Sequence, residues 1–170
     1  MPPIPGSDSK HIRLSGPTEH DNIVNGYGLR AVVWTQGCYI RCPGCQNPET
    51  WSPVAGTVVD IEDVKKELAS FKGQSGLTFC GGEPSLQAEA CIEIARFVKK
   101  ELGWNVWSFS GFTYEQLKEQ GGKAWEFVKE LDALIDGPFI LAQRDLTLKF
   151  RGSKNQRLLH LKNGKITKVE

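Results

Sequence analysis

The sequence has no long hydrophobic run, no excess of either charge and no export signal. Its 170 residues contain no apolar stretch near the roughly 20 residues that a membrane-spanning helix needs. Lysine and arginine number 21 against 20 acidic residues, so no global basic excess points to nucleic-acid binding. The first ten residues, MPPIPGSDSK, lack the apolar core of a secretory signal. We therefore predict no membrane and no nucleic-acid partner.

The rest of the composition is that of one folded domain. The hydrophobic fraction is 39% and the charged fraction 24%, which argues against wholesale disorder. No internal repeat or long linker divides the chain. We expect a single domain over residues 1–170, in which the Pro- and Ser-rich start, about 1–10, is flexible.

Five cysteines are present, and Cys38, Cys42 and Cys45 fall within eight residues. Without an export signal we expect a cytoplasmic, reducing location, where clustered thiols are more often metal ligands than disulfides. Cys80 and Cys91 stand alone. Cys91 belongs to the apolar stripe of a predicted helix and Cys80 ends a predicted strand, so packing is the expected role of both.

Apolar runs alternate with amphipathic stretches through most of the chain. Strands are predicted at 29–35, 77–80, 104–109 and 133–135, and helices at 61–71, 86–102, 114–120 and 123–130. For the tail, 147–162, the sequence predicts two polar strands or an irregular segment. Such alternation is typical of an α/β fold with a mostly parallel sheet. Four βα units are too few for a closed eight-stranded barrel, so we expect an incomplete, TIM-type partial barrel or a small doubly wound sheet.

The unusual residues of the chain follow these predicted strands. The cysteine segment follows the first strand, Gly81-Gly82-Glu83 the second, Ser108 to Gly111 the third and Asp136 the fourth. Parallel strands end at the same edge of a sheet, where α/β proteins place their ligands. The sequence therefore predicts one composite site.

The spacing Cys38-x3-Cys42-x2-Cys45 allows one tight loop to wrap three thiolates around a compact inorganic centre. Structural zinc sites usually take four protein ligands in two pairs, and no second pair exists here, although His160 or Cys80 remains a candidate fourth ligand. Ferredoxin-type carriers use four cysteines. Three thiolates favour a [4Fe-4S] cluster with one open iron.

Three cysteines at this spacing after a first strand resemble the cluster motif of the radical S-adenosylmethionine enzymes. The resemblance implies that the open iron chelates the amino and carboxylate groups of S-adenosylmethionine. An electron from the cluster then cleaves the carbon–sulfur bond and gives methionine and a 5′-deoxyadenosyl radical. Relatives often carry an aromatic residue just before the third cysteine, where this chain has Gly44.

Gly81-Gly82-Glu83 resembles the motif with which this family holds the methionine amino group. Two glycines allow close backbone approach, and a carboxylate can receive an ammonium group. Ten residues are expected, by resemblance, to hold S-adenosylmethionine: Gly44, Cys45, Gln46, Asn47, Gly81, Gly82, Glu83, Ser108, Ser110 and Asp136. The three cysteines are the expected cluster ligands and catalytic residues.

Further segments narrow the resemblance to activators of glycyl-radical enzymes, and among these to activators of anaerobic ribonucleotide reductase. They are 22–30, 47–51, 136–139 and 151–156. The implied partners are that large enzyme and a flavodoxin- or ferredoxin-like reductant. Gln46 and Lys154 depart from the pattern of the relatives, which affects the identity of the partner rather than the chemistry.

Three other readings stay open at this point. One is an activator of a different glycyl-radical enzyme, and another a small peptide modifier of the same chemistry. The third is a zinc-binding or electron-transfer module without enzymatic activity. The basic residues of the tail are either solvated or a docking face for an acidic partner; they are Arg144, Lys149, Arg151, Lys154 and Arg157.

Overall fold

A computed structural model describes all 170 residues as nine strands and four helices. The strands are β1 (His11–Leu14), β2 (Glu19–Asn22), β3 (Arg30–Thr35), β4 (Thr57–Asp60), β5 (Gly76–Gly81), β6 (Asn105–Phe109), β7 (Ala133–Asp136), β8 (Arg157–Lys162) and β9 (Lys165–Val169). The helices are α1 (Ile61–Ser70), α2 (Ala88–Leu102), α3 (Tyr114–Gln120) and α4 (Gly122–Lys129). None of the helices has the length and apolar character that a membrane crossing requires.

All strands join one mixed sheet in the order β4-β1-β3-β5-β6-β7-β8-β9, and β2 pairs with β3 beside this path. The central strands β3, β5, β6 and β7 are parallel, whereas the five outer strands pair antiparallel with their neighbours. The predicted α/β class is confirmed, and its parallel part is the centre of the sheet. Strands β1, β2 and β4 were not predicted, because each has only four residues: β2 is wholly polar, and the alternation in β1 (HIRL) is too short to distinguish a strand from a loop.

The helices cover one face of the sheet and enclose the main core of 26 buried residues. Strand residues of one parity point into it, such as Val33, Phe79 and Val106. The predicted stripe of α2 supplies Cys91 and Ile94, so the packing role expected for Cys91 agrees with the structure. Capping stabilises these helices locally: Asp60 accepts a hydrogen bond from the Glu62 amide at the start of α1.

The other face of the sheet has no helices. Residues of opposite parity form a cluster of four buried residues there, Trp107, Ala133, Ile135 and Leu158. The segment 137–156, between β7 and β8, lies against this cluster through Phe150, whose ring meets Trp107 edge to face at 5.7 Å. Of the predicted tail, residues 147–156 are irregular and only 157–162 form a strand, β8; the second strand, β9, lies beyond the predicted range.

The N-terminal segment contacts the domain. Ile4 is 1% exposed and its side chain lies against the α-carbon of Gly37, while Arg13 Nε donates to the Pro5 carbonyl at 3.0 Å. The flexibility of residues 1–10 stays a prediction, and Ile4 is the point at which this segment is attached.

Candidate functional site

The carboxyl ends of the parallel strands open into a cavity of about 560 Å³. Seven of the predicted site residues that follow different strands line it together with Cys38 and Cys42: Cys45, Gln46, Asn47, Gly81, Gly82, Glu83 and Ser110. The predicted composite site is therefore one continuous cavity. Gly44, Ser108 and Asp136 do not line it.

The cysteine loop is fixed at its two ends rather than along its length. The amides of Gly37 and Cys38 donate to the carbonyls of Thr50 and Trp51, at 2.7 and 3.1 Å. The side-chain amide of Gln36 spans the same two ends and donates to the carbonyls of Glu49 and Ser52. These contacts close residues 36–52 into one compact loop beside β5.

Within this loop the chain turns tightly around the thiols. The Cys45 amide donates to the Cys42 carbonyl at 3.0 Å. Arg41 and Gly44 have φ angles of +52° and +77°, and Gly44 tolerates this left-handed conformation without strain. Gly44 forms the turn, and a Cβ added at this position would contact Leu141. We therefore assign Gly44 a structural role, which agrees with its position outside the cavity.

All three thiols are free and half-buried. Burial raises the pKa of Cys38 and Cys42, and backbone amides aimed at each sulfur partly oppose this rise. Both thiols are therefore protonated at neutral pH without iron, and iron must displace these protons when it binds.

The two glycines after β5 are required by packing against the cysteine loop. A Cβ on Gly82 would overlap the backbone of Gly37, and one on Gly81, at φ +106°, would overlap the backbone of Thr35. The Gly82 amide donates to the Thr35 carbonyl and the Glu83 amide to the Gly37 carbonyl, at 2.8 and 2.9 Å. These contacts hold Gly37, the residue before Cys38, against the segment that contains Gly81 and Gly82.

Glu83 is 1% exposed and its carboxylate is surrounded by donors of the chain itself. One oxygen accepts from the amide and hydroxyl of Ser85 and from the hydroxyl of Ser110, at 3.2, 2.6 and 2.8 Å. The other accepts from the Gly111 amide at 2.7 Å. Burial raises the pKa of the Glu83 carboxyl, and these hydrogen bonds oppose the rise.

Ser108 and Asp136 lie on the helix-covered side of the sheet. Ser108 shares its parity on β6 with Val106, and Asp136 shares its parity on β7 with Leu134. Asp136 accepts from the Tyr114 amide at 2.7 Å and from both Arg157 nitrogens that face it. Direct contact of Ser108 and Asp136 with S-adenosylmethionine stays a prediction, and the contacts here do not support it. The alternation of side chains along β6 and β7 would have placed both residues on the helix-covered face.

Two parts of the cavity were not assigned to it from the sequence, although the second of them contains the segments 136–139 and 151–156 that carried the resemblance. Trp34, on the helix-free face of β3, forms part of its floor with Cys80 and Phe109. The segment 137–156 forms a wall through Phe139, Phe150 and neighbouring residues. Trp34 alternates with Val33 along β3, and this alternation would have placed Trp34 on the helix-free face. The irregular segment 137–156 carries no periodic signal.

The residues present fit both groups that the motif implies. Three thiols on one short loop are a soft donor set suited to iron–sulfur clusters, in which each thiolate binds its own iron. No three His, Cys, Asp or Glu side chains converge around a point that a single metal ion would take. Trp34 lines the cavity, and its Nε1 is the one buried side-chain nitrogen or oxygen without a hydrogen-bond partner. A buried donor without a partner calls for an explanation, such as a bound water or a role in the site.

Comparison with known proteins decides the family. A family model described as "4Fe-4S single cluster domain" matches residues 24–159. The anaerobic ribonucleoside-triphosphate reductase-activating protein of Haemophilus influenzae is 33% identical over 145 residues, which cover 79% of this chain and 90% of that protein. The chain belongs to this family of activating proteins.

Other relatives set the range of the family. The activating protein of the same name from Enterobacteria phage T4 is 36% identical over 81% of this chain and 87% of its own length. The pyruvate formate-lyase-activating enzyme of Clostridium pasteurianum is 36% identical over 59% of this chain and 44% of its own length. The crystal structure of QueE from Escherichia coli shares the fold, with a TM-score of 0.50, 14% identity and coverage of 61% of this chain and 53% of that one.

Membership confirms the expected [4Fe-4S] cluster and the resemblance from which S-adenosylmethionine was inferred. The mononuclear zinc alternative is thereby replaced by the cluster. Residue-level roles in the site are not tested by these comparisons and stay predictions, with Cys38, Cys42 and Cys45 as the expected ligands.

Proposed function

We propose that the protein activates a glycyl-radical enzyme by removing one hydrogen atom from a glycine Cα of that enzyme. One electron and S-adenosylmethionine are consumed, and methionine, 5′-deoxyadenosine and a glycyl radical on the partner are formed. The observation that carries this proposal is a three-thiol loop and a glycine wall around one open cavity, in a chain of the activating-protein family. When bound, the cluster supplies the electron that cleaves the sulfonium carbon–sulfur bond.

The residues of this chain provide position and shielding. The contacts of Gly37, Cys38 and Gln36 fix the thiol loop, so the cluster would be held by Cys38, Cys42 and Cys45 at one end of the cavity. The segment 137–156, which lies beside the thiol loop at Gly44 through Phe139 and Leu141, surrounds the remaining space together with the ring of Phe109. A radical is protected from water only when something closes such a cavity, and a loop of the partner is the proposed closure.

Anaerobic ribonucleotide reductase is the partner that we propose. The relatives named for it align along 87–94% of their own length, whereas the pyruvate formate-lyase activator aligns along 44%. A second candidate partner is therefore another glycyl-radical enzyme, which the local match to that activator favours. We also propose the incomplete barrel as the finer description of the fold, and the cytoplasm as the location.

A flavodoxin- or ferredoxin-like protein is the proposed electron donor. The outer side of the thiol loop is exposed at Arg41 and Gly44, beside Leu141, which is 54% exposed. A small acidic carrier can reach the cluster on this side. We expect Arg41→Glu to slow cluster reduction by such a carrier and to leave reduction by dithionite unchanged.

Electron paramagnetic resonance on the reconstituted, anaerobic mixture tests the function. Protein, S-adenosylmethionine, reductant and the partner enzyme should give an oxygen-sensitive radical on the partner, and replacing the partner's radical glycine with alanine should remove it. Turnover of a small metabolite or peptide without any radical on candidate partners would replace this proposal with a modifying enzyme.

A further inference from the structure

Ile4 is buried outside the apolar core of the protein. Its side chain is 1% exposed, yet it belongs neither to the core of 26 residues nor to the cluster of four. A Cβ added to Gly37 would overlap the terminal methyl group of Ile4, so the two residues are in direct contact. The thiol loop therefore supplies part of the surface that buries Ile4.

Gly37 depends on its neighbours for its position, because it has no side chain of its own to pack. Its amide donates to the Thr50 carbonyl at 2.7 Å and its carbonyl accepts from the Glu83 amide at 2.9 Å. Ile4 fills the space that a side chain at this position, with its φ of +109°, would otherwise occupy. Since Cys38 follows directly, a shift of Gly37 would move the first thiol relative to the other two.

The segment that carries Ile4 is tied to the same part of the chain by Arg13. The Arg13 Nε donates to the Pro5 carbonyl at 3.0 Å, and its Nη1 donates to the carbonyls of Val54 and Ala55 at 3.1 and 3.0 Å. Pro5 is next to Ile4, whereas Val54 and Ala55 lie just after the thiol loop. One guanidinium group thus joins the N-terminal segment to the chain that leaves this loop.

We infer that Ile4 is a positioning residue of the cluster site, which holds Gly37 in place and thereby keeps Cys38 at the separation from the other two thiols that a cluster requires. Ile4 does not line the cavity, so it acts only through the thiol loop. This inference rests on the proposed function, because the loop concerned is the one that would hold the cluster there.

The discriminating experiment compares two buried isoleucines in the reconstituted, ligand-free protein. Ile94, in helix α2, is 0% exposed and packs in the main core, so Ile94→Ala is the matched control for Ile4→Ala. Anaerobic transfer of iron to a chelator gives the rate of cluster loss, and denaturant titration gives the unfolding midpoint. We expect Ile4→Ala to accelerate iron loss roughly tenfold, as changes next to metal ligands typically do. Ile94→Ala should lower the midpoint at least as much and leave the rate of iron loss unchanged.

Two further variants define what the contact requires. Ile4→Leu keeps the number of side-chain carbon atoms and should restore slow iron loss. Arg13→Ala loosens the N-terminal segment without removing any atom from the contact between Ile4 and Gly37, so it should accelerate iron loss by a smaller factor. If Ile4→Ala does not fold, iron loss at the unaltered rate in Arg13→Ala overturns the inference.

The iron-free protein provides a readout that does not depend on the cluster. Alkylation of Cys38 relative to Cys45 should be faster in Ile4→Ala than in the unaltered protein, because Cys38 is the thiol next to Gly37. The same ratio should stay unchanged in Ile94→Ala.

Iron loss from Ile4→Ala at the unaltered rate would assign Ile4 to ordinary packing and overturn the inference. An acceleration that Ile94→Ala matches at an equal fall in midpoint would do the same. Failure of the proposed function has a different signature, namely the absence of a radical on the partner while the contrast in iron loss remains.

Discussion

The same four parallel strands form both faces of the central sheet, but the two faces have different roles. The helix-covered face contributes to an apolar core of 26 buried residues, whereas the other face has a smaller apolar cluster of four and borders the cavity at its carboxyl end. Neighbouring residues divide between them: Val33 and Phe79 enter the core, while Trp34 and Cys80 line the cavity. Stability is therefore concentrated on one face and ligand chemistry on the other, and substitutions on the two faces should differ in kind.

The largest contrast is expected between two cysteines. Cys42→Ala should abolish cluster retention and S-adenosylmethionine cleavage, because one iron loses its thiolate, and should leave the fold intact because the side chain is half-exposed. Cys91→Ala, in the core, should keep both functions and lower the free energy of unfolding by about 1 kcal/mol. Iron content per chain and denaturant titration measure the two effects. A normal iron content in Cys42→Ala would remove it from the ligand set.

The next contrast is between two separate glycines, Gly82 and Gly103. Gly82→Val should lower both cluster occupancy and S-adenosylmethionine affinity, because its Cβ overlaps the Gly37 backbone and displaces the residue before Cys38. Gly103→Ala is the matched control. Its Cβ meets nothing and only the left-handed φ of +68° is strained, at a cost of about 1 kcal/mol. Iron analysis and ligand titration should separate them, and full iron loading in Gly82→Val would mean that the loop adapts.

Two tryptophans on opposite faces of the sheet provide a third contrast. Trp34→Phe removes a buried N–H that has no partner, so the free energy of unfolding should change little. We expect the affinity for S-adenosylmethionine to fall several-fold, because the variant removes a donor that can serve the ligand. Trp104→Phe, in the core, should lower stability and leave the affinity unchanged. Calorimetric titration and unfolding curves test both. Unchanged affinity in Trp34→Phe would assign the orphaned donor no part in binding S-adenosylmethionine.

The smallest effect is expected at the surface of the helix-covered side. Arg157 lowers the pKa of Glu115 by hydrogen bonding, so the contribution of Glu115 to stability is present above its ordinary pKa of 4.5 and is lost as pH falls through the lowered value. The pair is exposed, and Glu115→Gln should therefore cost less than about 0.5 kcal/mol at pH 7. Unfolding free energies of both proteins at pH 7 and pH 3 should converge at the lower pH.

The composite site was predictable because several of its residues follow successive parallel strands, and parallel strands end at one edge. Cys38, Gly82 and Ser110 therefore reach one cavity. Distance from a strand end was not sufficient for Ser108 and Asp136, which end strands too but point to the helices. Period-2 alternation places each side chain on a face, and it overrides proximity along the chain.

The sequence alone determined the α/β class, the four helices and the close spacing of three cysteines, because hydrophobic period and cysteine spacing are local patterns. Only the tertiary structure decided which way the strand-end polar groups point, that Gly82 packs on Gly37, and that the Glu83 carboxylate accepts hydrogen bonds from residues that follow two different strands. Each of these depends on contacts between segments that are tens of residues apart. Such contacts are set by how the sheet and its loops pack, and no local pattern records them.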